Sequence, residues 1–329
     1  MNKKIIAIAA VIVVIVFGVS IWMLNSSSLD DLIEEASQCQ SYQLVSNMEM
    51  LENDELKSYQ VTSTFARIDD QDFYKVELYD KSLNQSQVIV RNDEGVFVLT
   101  PSLNQAFQFQ SDWPNNSPKP YIYQSLITFL SENKPEKTKD GYLVQGEMTY
   151  ENDERVKSQE VKFDKDLKPV YVSVFDQDGT EVIKVEVTSF ELNASMKKDD
   201  FSQKNIAEAT KSAYTDSVSA SLPLYPVSLM GSVLENEKVS EIDDEINHIL
   251  KFTGDKSFTI VEKTSKENED LEIENIDAQM IDMIDGVAFE KDQQMTYISS
   301  GVVCSLYSND LTQQEKLAVL SSMQSSQVK

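Results

Sequence analysis

The sequence predicts an α+β fold in three parts: an N-terminal membrane helix, a half-open antiparallel β-barrel with a helical lid, and a small α+β domain. Three observations predict it. An uncharged apolar run lies near the N-terminus, about ten segments between residues 41 and 192 alternate apolar and polar side chains, and a polar run precedes a second, shorter set of strand patterns. The predicted boundaries are a cytoplasmic tail over 1–4, a transmembrane anchor over 5–24, the half-barrel over 29–203, a linker over 204–221 and the C-terminal domain over 222–329.

The apolar run over residues 5–24, IIAIAAVIVVIVFGVSIWML, predicts the membrane anchor. A helix of this length spans roughly 30 Å, the thickness of the hydrocarbon core of a bilayer. Lys3 and Lys4 precede the run, so the positive-inside rule leaves residues 1–4 in the cytoplasm. A cleaved signal peptide is the alternative, but the run exceeds the usual apolar core of about 7–15 residues and no Ala-x-Ala motif closes it. We therefore expect a single-pass protein of the cell membrane with the bulk of the chain extracytoplasmic.

Charge and cysteine content narrow the class of partner. The 55 acidic and 29 basic residues give a net charge of −26, which repels phosphate backbones and argues against a nucleic-acid partner. The two cysteines, Cys39 and Cys304, lie far apart and lack the spacing of a metal site or a disulfide framework. No cysteine directly follows the apolar run, so we expect no lipid modification there.

Period-two alternation predicts the half-barrel. In SYQLVSNMEMLE, for example, Leu44 and Met48 share one face of a strand. Residues 88–109 form three short apolar segments separated by turn residues, and residues 121–133 are typical of an amphipathic helix. Many short antiparallel strands with few helices favour a curved sheet whose apolar face is covered by a helix.

The apolar face of this sheet is the candidate ligand-binding site. Its side chains are either an ordinary core or the wall of a partly open cavity, and the pattern leaves both interpretations open. Methionine and aromatic side chains suit an adaptable apolar pocket. The candidate wall residues are Leu44, Met48, Met50, Val61, Phe65, Val76, Leu78, Val90, Phe97, Leu99, Phe107 and Phe109. The candidate lid residues are Ile122, Leu126 and Phe129.

The C-terminal domain is predicted to open at LPLYP, residues 222–226, and to contain two hairpins. One hairpin turns near residues 253–256 and the other at residues 299–301. The last helix begins with a capping box, because Thr312 and Glu315 stand three residues apart at its start.

No motif in the chain points to catalysis, and we expect no enzyme activity, cofactor or metal site. The patterns of serine and zinc hydrolases, redox dithiols, P-loops and dinucleotide-binding folds are missing. His248, the single histidine, lies on the apolar side of a predicted strand without a partner nucleophile. The stretch DQDGTE, residues 176–181, resembles the start of a calcium loop but lacks its ligand spacing, so it predicts a hairpin turn. The acidic run over 266–277 predicts a solvated face.

The turn and strand residues of the apolar ribbon resemble the central signature of the LolA/LolB/RseB lipoprotein-carrier superfamily. That signature is a strand, a turn with Asp and Gly, a strand ending in P-x-L-N, and a further apolar strand. The matching residues are Asp93, Gly95, Pro101, Leu103, Asn104 and Phe107. The resemblance extends roughly over residues 29–201 and implies an unclosed antiparallel barrel around an apolar cavity that is lidded by helices. In the carriers this cavity holds the acyl chains of lipoproteins. The carriers are soluble and periplasmic, so the predicted anchor is a departure from the family pattern.

The C-terminal part resembles a small α+β domain of unknown function found in membrane-linked proteins of Gram-positive bacteria. The matching features are the LPLYP entry, residues 285–287, the hairpin over 296–307 and the final helix. Two-part relatives of this kind include sporulation and germination lipoproteins, one of which binds a cell-wall amidase. The resemblance implies a membrane-anchored LolA-like binding protein of the cell envelope, holding an acyl or lipid ligand or docking an envelope protein in sporulation or germination. An RseB-like sensor that regulates a membrane signalling partner is the alternative.

Overall fold

The computed structural model describes residues 28–52, 55–115, 117–150, 152–153, 155–213, 222–242, 245–264, 268–299 and 301–325. The predicted tail and anchor, residues 1–4 and 5–24, lie outside these ranges. Among the helices within them, none is long and apolar enough to cross a membrane.

Strands dominate the described part of the chain, and the helices are short. In chain order the helices are α1 (Leu29–Ser37), α2 (Tyr123–Glu132), α3 (Gln203–Ala213) and α4 (Gln313–Ser321), with 3-10 turns at Pro101–Leu103 and Lys198–Phe201. The first strands are β1 (Ser41–Glu52), β2 (Glu55–Ile68), β3 (Gln71–Asp80), β4 (Gln85–Asn92), β5 (Gly95–Thr100), β6 (Gln105–Phe109), β7 (Glu136–Thr138), β8 (Gly141–Glu147), β9 (Val156–Asp164), β10 (Pro169–Asp176) and β11 (Glu181–Leu192). The later strands are β12 (Leu224–Pro226), β13 (Ser232–Ile242), β14 (Glu245–Gly254), β15 (Phe258–Thr264), β16 (Glu272–Ile276), β17 (Met280–Asp282), β18 (Val287–Lys291), β19 (Gln294–Ser299), β20 (Val302–Tyr307) and β21 (Met323–Ser325).

A twelve-stranded sheet forms the N-terminal part, in the order β16-β6-β5-β4-β3-β2-β1-β11-β10-β9-β8-β7. Its strands pair antiparallel, except that β16 of the C-terminal part pairs parallel with β6. The two ends of the order, β16 and β7, do not pair with each other. The sheet is therefore open, as the predicted half-barrel requires.

Helix α2 packs on one face of this sheet, and the sheet curves around the helix. One buried cluster contains Leu126 and Phe129 of α2 together with side chains from β1 to β6 and from β8 to β11. Because β-strands twist, an open sheet of this many strands coils instead of staying flat. We call this face the concave face.

Helix α3 covers part of the opposite, convex face. Its Ile206 and Ala207 lie in a second buried cluster with Phe97 of β5 and Phe201. The predicted linker over 204–221 is therefore helical in its first part. The polar composition of this stretch suggested a linker, but two apolar side chains, Ile206 and Ala207, are enough to attach one face of a helix to the sheet. Residues 214–221 lie outside the described ranges.

The C-terminal part is built on a seven-stranded antiparallel sheet in the order β13-β14-β15-β20-β19-β18-β17. Helix α4 packs on it with Leu317 and Leu320, and the short pair β12 and β21 lies beside them. The capping box predicted for α4 is present, because Glu315 N donates to the Thr312 hydroxyl and Thr312 N donates to the Glu315 carboxylate. The predicted hairpins of this part are β14–β15 and β19–β20.

Candidate functional site

Most of the predicted wall and lid residues lie together on the concave face. They share one buried cluster, and each is at most 5% exposed. The wall residues in it are Leu44, Met48, Met50, Val61, Phe65, Val76, Leu78, Phe107 and Phe109, and the lid residues are Ile122, Leu126 and Phe129. Apolar and polar residues alternate along β1 to β3. The apolar side chains therefore lie on one face of these strands and the polar ones on the other.

Three predicted wall residues, Val90, Phe97 and Leu99, lie instead on the convex face, in the cluster that packs against α3. Val90 pairs with Phe97, whereas Phe107 pairs with Val98, so Phe97 and Phe107 project from opposite faces of the sheet. The physical reason is that β4 and β5 are buried on both faces. Apolar side chains stand at both odd-numbered and even-numbered positions of these strands. Period-two alternation therefore cannot decide which of the two sets faces α2.

The concave face is packed with side chains of the chain itself. Besides α2, the buried cluster contains Ile284, Val287 and Phe289 of the C-terminal part. Phe289 meets the wall residue Phe109 edge-on, with ring centroids 5.6 Å apart. The two sheets therefore share one continuous core, and the C-terminal part occupies a share of the surface on which a ligand would lie.

A buried ion pair holds residues 282–289 of the C-terminal part, here called the inserted segment, beside the start of α2. The Lys119 Nζ atom lies 3.1 Å from Asp282 Oδ1, with side chains that are 2% and 5% exposed. Lys119 also donates to the backbone oxygen of Met283, and the Tyr121 hydroxyl donates to the Ile284 oxygen at 2.9 Å. Burial raises the pKa of Asp282, and the Lys119 charge opposes that rise. Three consecutive positions, 282–284, are thus tied to the loop that leads into α2.

A second carboxylate, that of Asp285, fixes the same segment to residues near the start of β2. Asp285 accepts hydrogen bonds from the Lys57 ammonium and the Tyr59 hydroxyl, both at 3.2 Å, and from the Tyr297 hydroxyl at 2.8 Å. Burial alone would raise the pKa of Asp285, but the Lys57 charge and the three donors outweigh it and lower that pKa. Asp285 is therefore held ionised inside the junction between the two sheets.

Asn104, the last residue of the P-x-L-N match, attaches β16 to the large sheet. Its backbone adopts the left-handed conformation, with φ of 49°. Its side-chain amide donates to the backbone oxygens of Asn268 at 2.7 Å and Glu269 at 3.1 Å, and its own backbone oxygen accepts from Glu272 N at 2.9 Å. The sequence identified the motif but carried no signal for this role, because the partner lies more than 160 positions further along the chain.

His248 and Cys304, the side chains closest in type to a catalytic pair, are separated by a strand. His248 pairs with Glu262 and Glu262 pairs with Cys304, so the two outer residues are about two strand spacings, roughly 9.6 Å, apart. Burial raises the pKa of the Cys304 thiol, which disfavours the reactive thiolate. Burial also raises the pKa of Glu262 to about 8. Cys304 and His248 therefore lack the contact between nucleophile and base that acyl transfer needs.

The other acidic candidates have structural roles. The Asp176 carboxylate accepts hydrogen bonds from the backbone N–H groups of Asp178 and Thr180, at 2.9 and 2.8 Å, and so closes the predicted hairpin turn. Within the described residues, no group of three or more His, Cys, Asp and Glu side chains could hold a metal ion.

A groove with a volume of about 400 Å³ runs along α2, between this helix, two prolines of the preceding loop and residues 148–149. Aromatic, proline and methionine surfaces form its apolar walls, and α2 contributes polar side chains. Its lining includes Tyr74, Pro114, Pro118, Gln124, Phe129 and Glu132. The apolar side of the helix carried the sequence signal for the lid, whereas the polar residues of this groove carried none.

Gln124 is the unusual member of this lining. Both polar atoms of its side chain are shielded from solvent, and neither has a hydrogen-bond partner among the described residues. An unpaired buried amide costs about 1–3 kcal/mol, so native structures rarely keep one without a reason.

The chain is similar to one characterised protein along nearly its whole length. It is 30% identical over 305 residues to the sporulation protein YdcC of Bacillus subtilis, covering 89% of this chain and 88% of that protein. No protein-family model matches the chain.

Several solved structures are similar to the chain at low identity. The MucA/MucB complex of Pseudomonas aeruginosa contains a chain that is 13% identical, with a TM-score of 0.33, covering 89% of this chain and 96% of its own. A lipoprotein-sorting domain of the outer membrane from Vibrio parahaemolyticus is 13% identical, with a TM-score of 0.31, covering 54% and 95%. The complex of the CwlD amidase of Clostridioides difficile with the GerS lipoprotein contains a chain that is 17% identical, with a TM-score of 0.29, covering 51% and 97%.

The match to YdcC covers both the twelve-stranded and the seven-stranded part, since it spans 89% of the chain. The chain is a member of the family of the sporulation protein YdcC, and its open antiparallel sheet with a helix on one face agrees with the fold that the resemblance of residues 93–107 implies.

Proposed function

We propose that the protein is a membrane-anchored, extracytoplasmic LolA-like protein that docks an envelope protein during sporulation. The observation that carries this proposal is the filled concave face. The wall residues are packed by α2 and by the inserted segment of the C-terminal part, with Phe109 against Phe289. An acyl chain would have to displace these side chains, whereas a protein partner needs only an exposed surface.

Sporulation as the setting is supported by the similarity to YdcC, whose name states that role. The anchor is supported by the uncharged run over 5–24 and by the two lysines that precede it. Ser28 caps the start of α1 and follows this run after three residues, and α1 packs partly buried on the core with Leu32 and Ile33. The proposed anchor therefore connects to the folded body through a short spacer, which would hold that body close to the membrane.

Acyl binding is the second candidate, and the groove along α2 favours it in one respect. A volume of about 400 Å³ lies within the range of small-molecule sites. The polar lining residues Ser125, Thr128 and Glu132 count against an acyl chain, because a hydrocarbon offers them neither a donor nor an acceptor. An RseB-like sensor would use a protein interface as well, so it differs from the leading proposal in its partner and not in its chemistry.

The topology can be tested on the full chain in a sporulating host. A Glu136→Cys variant places a thiol on the exposed strand β7. We expect a membrane-impermeant maleimide to label it in intact cells, and mass spectrometry of the membrane fraction to find an N-terminus that retains residues 5–24. Labelling only after lysis would place the body in the cytoplasm. A new N-terminus between residues 18 and 28 would show a cleaved signal peptide.

The docking role can be tested by asking what the anchored body binds. Deletion of the gene should impair spore formation or germination, and the full chain should restore it. We expect an envelope protein, such as a cell-wall amidase, to co-purify with the full chain in stoichiometric amount and to need it for localisation or activity. A full chain that restores sporulation while it carries a stoichiometric lipid and no protein would contradict the docking role.

A further inference from the structure

Strand β13 (Ser232–Ile242) is the longest open edge of the two large sheets. It ends the order of the seven-stranded sheet, so no strand among the described residues pairs with its outer side. The other ends of the two sheets, β16, β7 and β17, have 5, 3 and 3 residues, whereas β13 has 11. About half of the backbone N–H and C=O groups of an edge strand point away from the sheet. β13 therefore offers a row of unpaired donors and acceptors that is long enough to accept another strand.

One face of β13 alternates acidic and apolar side chains. Glu237, Val239 and Glu241 stand two positions apart in a regular part of the strand, so their side chains project from the same face. Both glutamates are exposed, although Glu237 accepts a hydrogen bond from the Tyr225 hydroxyl at 2.8 Å, and Val239 is 56% exposed. Ile246 of β14, which pairs with Glu241, adds an apolar side chain that is 62% exposed. The open edge thus carries the pattern acidic-x-apolar-x-acidic.

The charges of this pattern select a basic partner strand. When a strand is added to an edge, one of its side chains lies directly opposite each residue of the edge strand, and opposite charges stabilise such a pair while like charges destabilise it. A lysine or arginine therefore fits opposite Glu237 and opposite Glu241, with an apolar side chain opposite Val239. The net charge of −26 also attracts a basic segment over a longer range. The complementary sequence is basic-x-apolar-x-basic.

A second copy of this chain does not supply that sequence. Two copies of β13 related by a two-fold axis would pair antiparallel, with the central residue opposite itself. A centre at position 237 opposes Glu237 to itself, a centre at 238 opposes Lys238 to itself, and a centre at 239 opposes Glu237 to Glu241. Each of these registers places like charges opposite each other, which is unfavourable.

The segments of this chain outside the described ranges do not supply it either. The pattern needs two basic residues four positions apart, and none of these segments contains such a pair. Residues 214–221, which lead into β12, contain Asp216 and no lysine or arginine. The occupant that the edge fits is therefore a segment of another protein.

We propose that β13 binds an extended basic segment of a partner protein by strand addition, with lysine or arginine opposite Glu237 and Glu241 and an apolar residue opposite Val239. The inference rests on the proposed docking function and specifies the surface and the chemistry of the partner. In the order of its sheet β13 lies at the end opposite to β17 and β18, and Phe289 of β18 belongs to the cluster on the concave face. Strand addition at β13 therefore leaves the filled concave face unchanged.

The test uses the full chain in detergent and two capped synthetic peptides, Thr-Lys-Thr-Val-Thr-Lys-Thr and Thr-Glu-Thr-Val-Thr-Glu-Thr. They differ only in the two charges that flank the valine. We expect the basic peptide to bind about tenfold or more tightly than the acidic one, equivalent to ~1.4 kcal/mol, in fluorescence anisotropy. This preference should shrink with added salt. The basic peptide should also slow the fast-exchanging backbone amides of residues 232–242 in hydrogen exchange, because strand addition pairs them.

Charge reversal in Glu237→Lys/Glu241→Lys should exchange the preference, so that the acidic peptide binds more tightly than the basic one. The matched control is Glu272→Lys/Glu274→Lys on β16, which changes the net charge equally at another exposed edge. These two glutamates have no apolar residue between them on their face of the strand, so this variant should keep the parental preference. Both double variants should unfold at the parental temperature.

The proposal is overturned if the basic peptide binds no better than the acidic one, if it binds without slowing exchange in β13, or if charge reversal leaves the preference unchanged. Slower exchange in β13 as the concentration of the full chain alone rises would assign the edge to a second copy and would also overturn it. If Glu237→Lys/Glu241→Lys still co-purifies with the envelope protein, the docking function stands and β13 is not its site. Failure of the parent to co-purify with any envelope protein would instead contradict the docking function.

Discussion

Lys119 and Asp282 form an ion pair with 3.1 Å between Nζ and Oδ1, buried at the junction of the two sheets. Lys119 belongs to the loop before α2, and Asp282 belongs to the C-terminal part. Because both charges are removed from water, each depends on the other for compensation. The pair therefore couples the position of the lid helix to that of the inserted segment.

Removal of one charge at this junction should be costly. We expect Lys119→Met to lower the free energy of unfolding by about 3–5 kcal/mol, because it leaves the Asp282 carboxylate buried without its counter-charge. Urea unfolding followed by tryptophan fluorescence would measure the loss. The double variant Lys119→Met/Asp282→Asn should recover most of it. A matched control is Lys184→Met in the exposed pair with Glu186, which should change stability little. Equal effects of the two lysine substitutions would contradict the account.

The buried Glu262 should make stability depend on pH. Its pKa is raised to about 8, mainly by burial, from the value of 4.5 for an unfolded glutamate. Between these values the folded state holds one more proton than the unfolded state, so stability declines as the pH rises from about 4.5 to 8. The slope for this group approaches 1.4 kcal/mol per pH unit. Glu262→Gln should remove this part of the slope in urea unfolding at pH 5, 6, 7 and 8. An unchanged slope would show that Glu262 is ionised throughout.

Asn104 should hold β16 in place. We expect Asn104→Gly, which keeps the left-handed turn but removes the side-chain amide, to increase amide hydrogen exchange over residues 268–276. Exchange in β1 and β2 should stay at the parental rate, because these strands lie in the middle of the sheet. If β16 stays as protected as in the parent, backbone pairing alone is sufficient to hold it.

The two faces of β5 can be separated by a pair of substitutions. Phe97 packs in the cluster of α3, and its neighbour Val98 packs in the cluster of α2. Phe97→Ala should destabilise the protein by about 3–5 kcal/mol and raise hydrogen exchange over residues 203–213 first. Val98→Ala should leave the exchange of α3 close to that of the parent. Faster exchange of α3 in Val98→Ala but not in Phe97→Ala would place Phe97 on the concave face.

Features set by neighbouring residues could be predicted from the sequence. The capping box of Thr312 and Glu315 and the hairpin turn at Asp176 depend on contacts within a few positions, and both are present. The alternation in β1 to β3 identified the buried face correctly at Leu44 and Met48. In these strands the contrast between a polar and an apolar face carried the signal.

Features set by distant parts of the chain could not be predicted. The face of the sheet from which Phe97 projects could not be predicted, because both faces of β5 are buried. The insertion of residues near Asp285 into the junction, and the parallel addition of β16, pair segments more than 160 positions apart. The groove along α2 is lined by residue 74, by residues from 114 to 132 and by residues 148–149, so it exists only once the fold brings these parts of the chain together.

The state of the concave face is the central claim, and binding of a fatty acid tests it most directly. The full chain would be incubated with excess palmitic acid and examined by native mass spectrometry after release from detergent. Because the wall residues around Val61 and Phe107 are packed by α2 and by the C-terminal part, we predict the mass of the unliganded chain at every concentration. A saturable one-to-one adduct that is lost when Val61 is replaced by Trp in a folded variant would contradict the account.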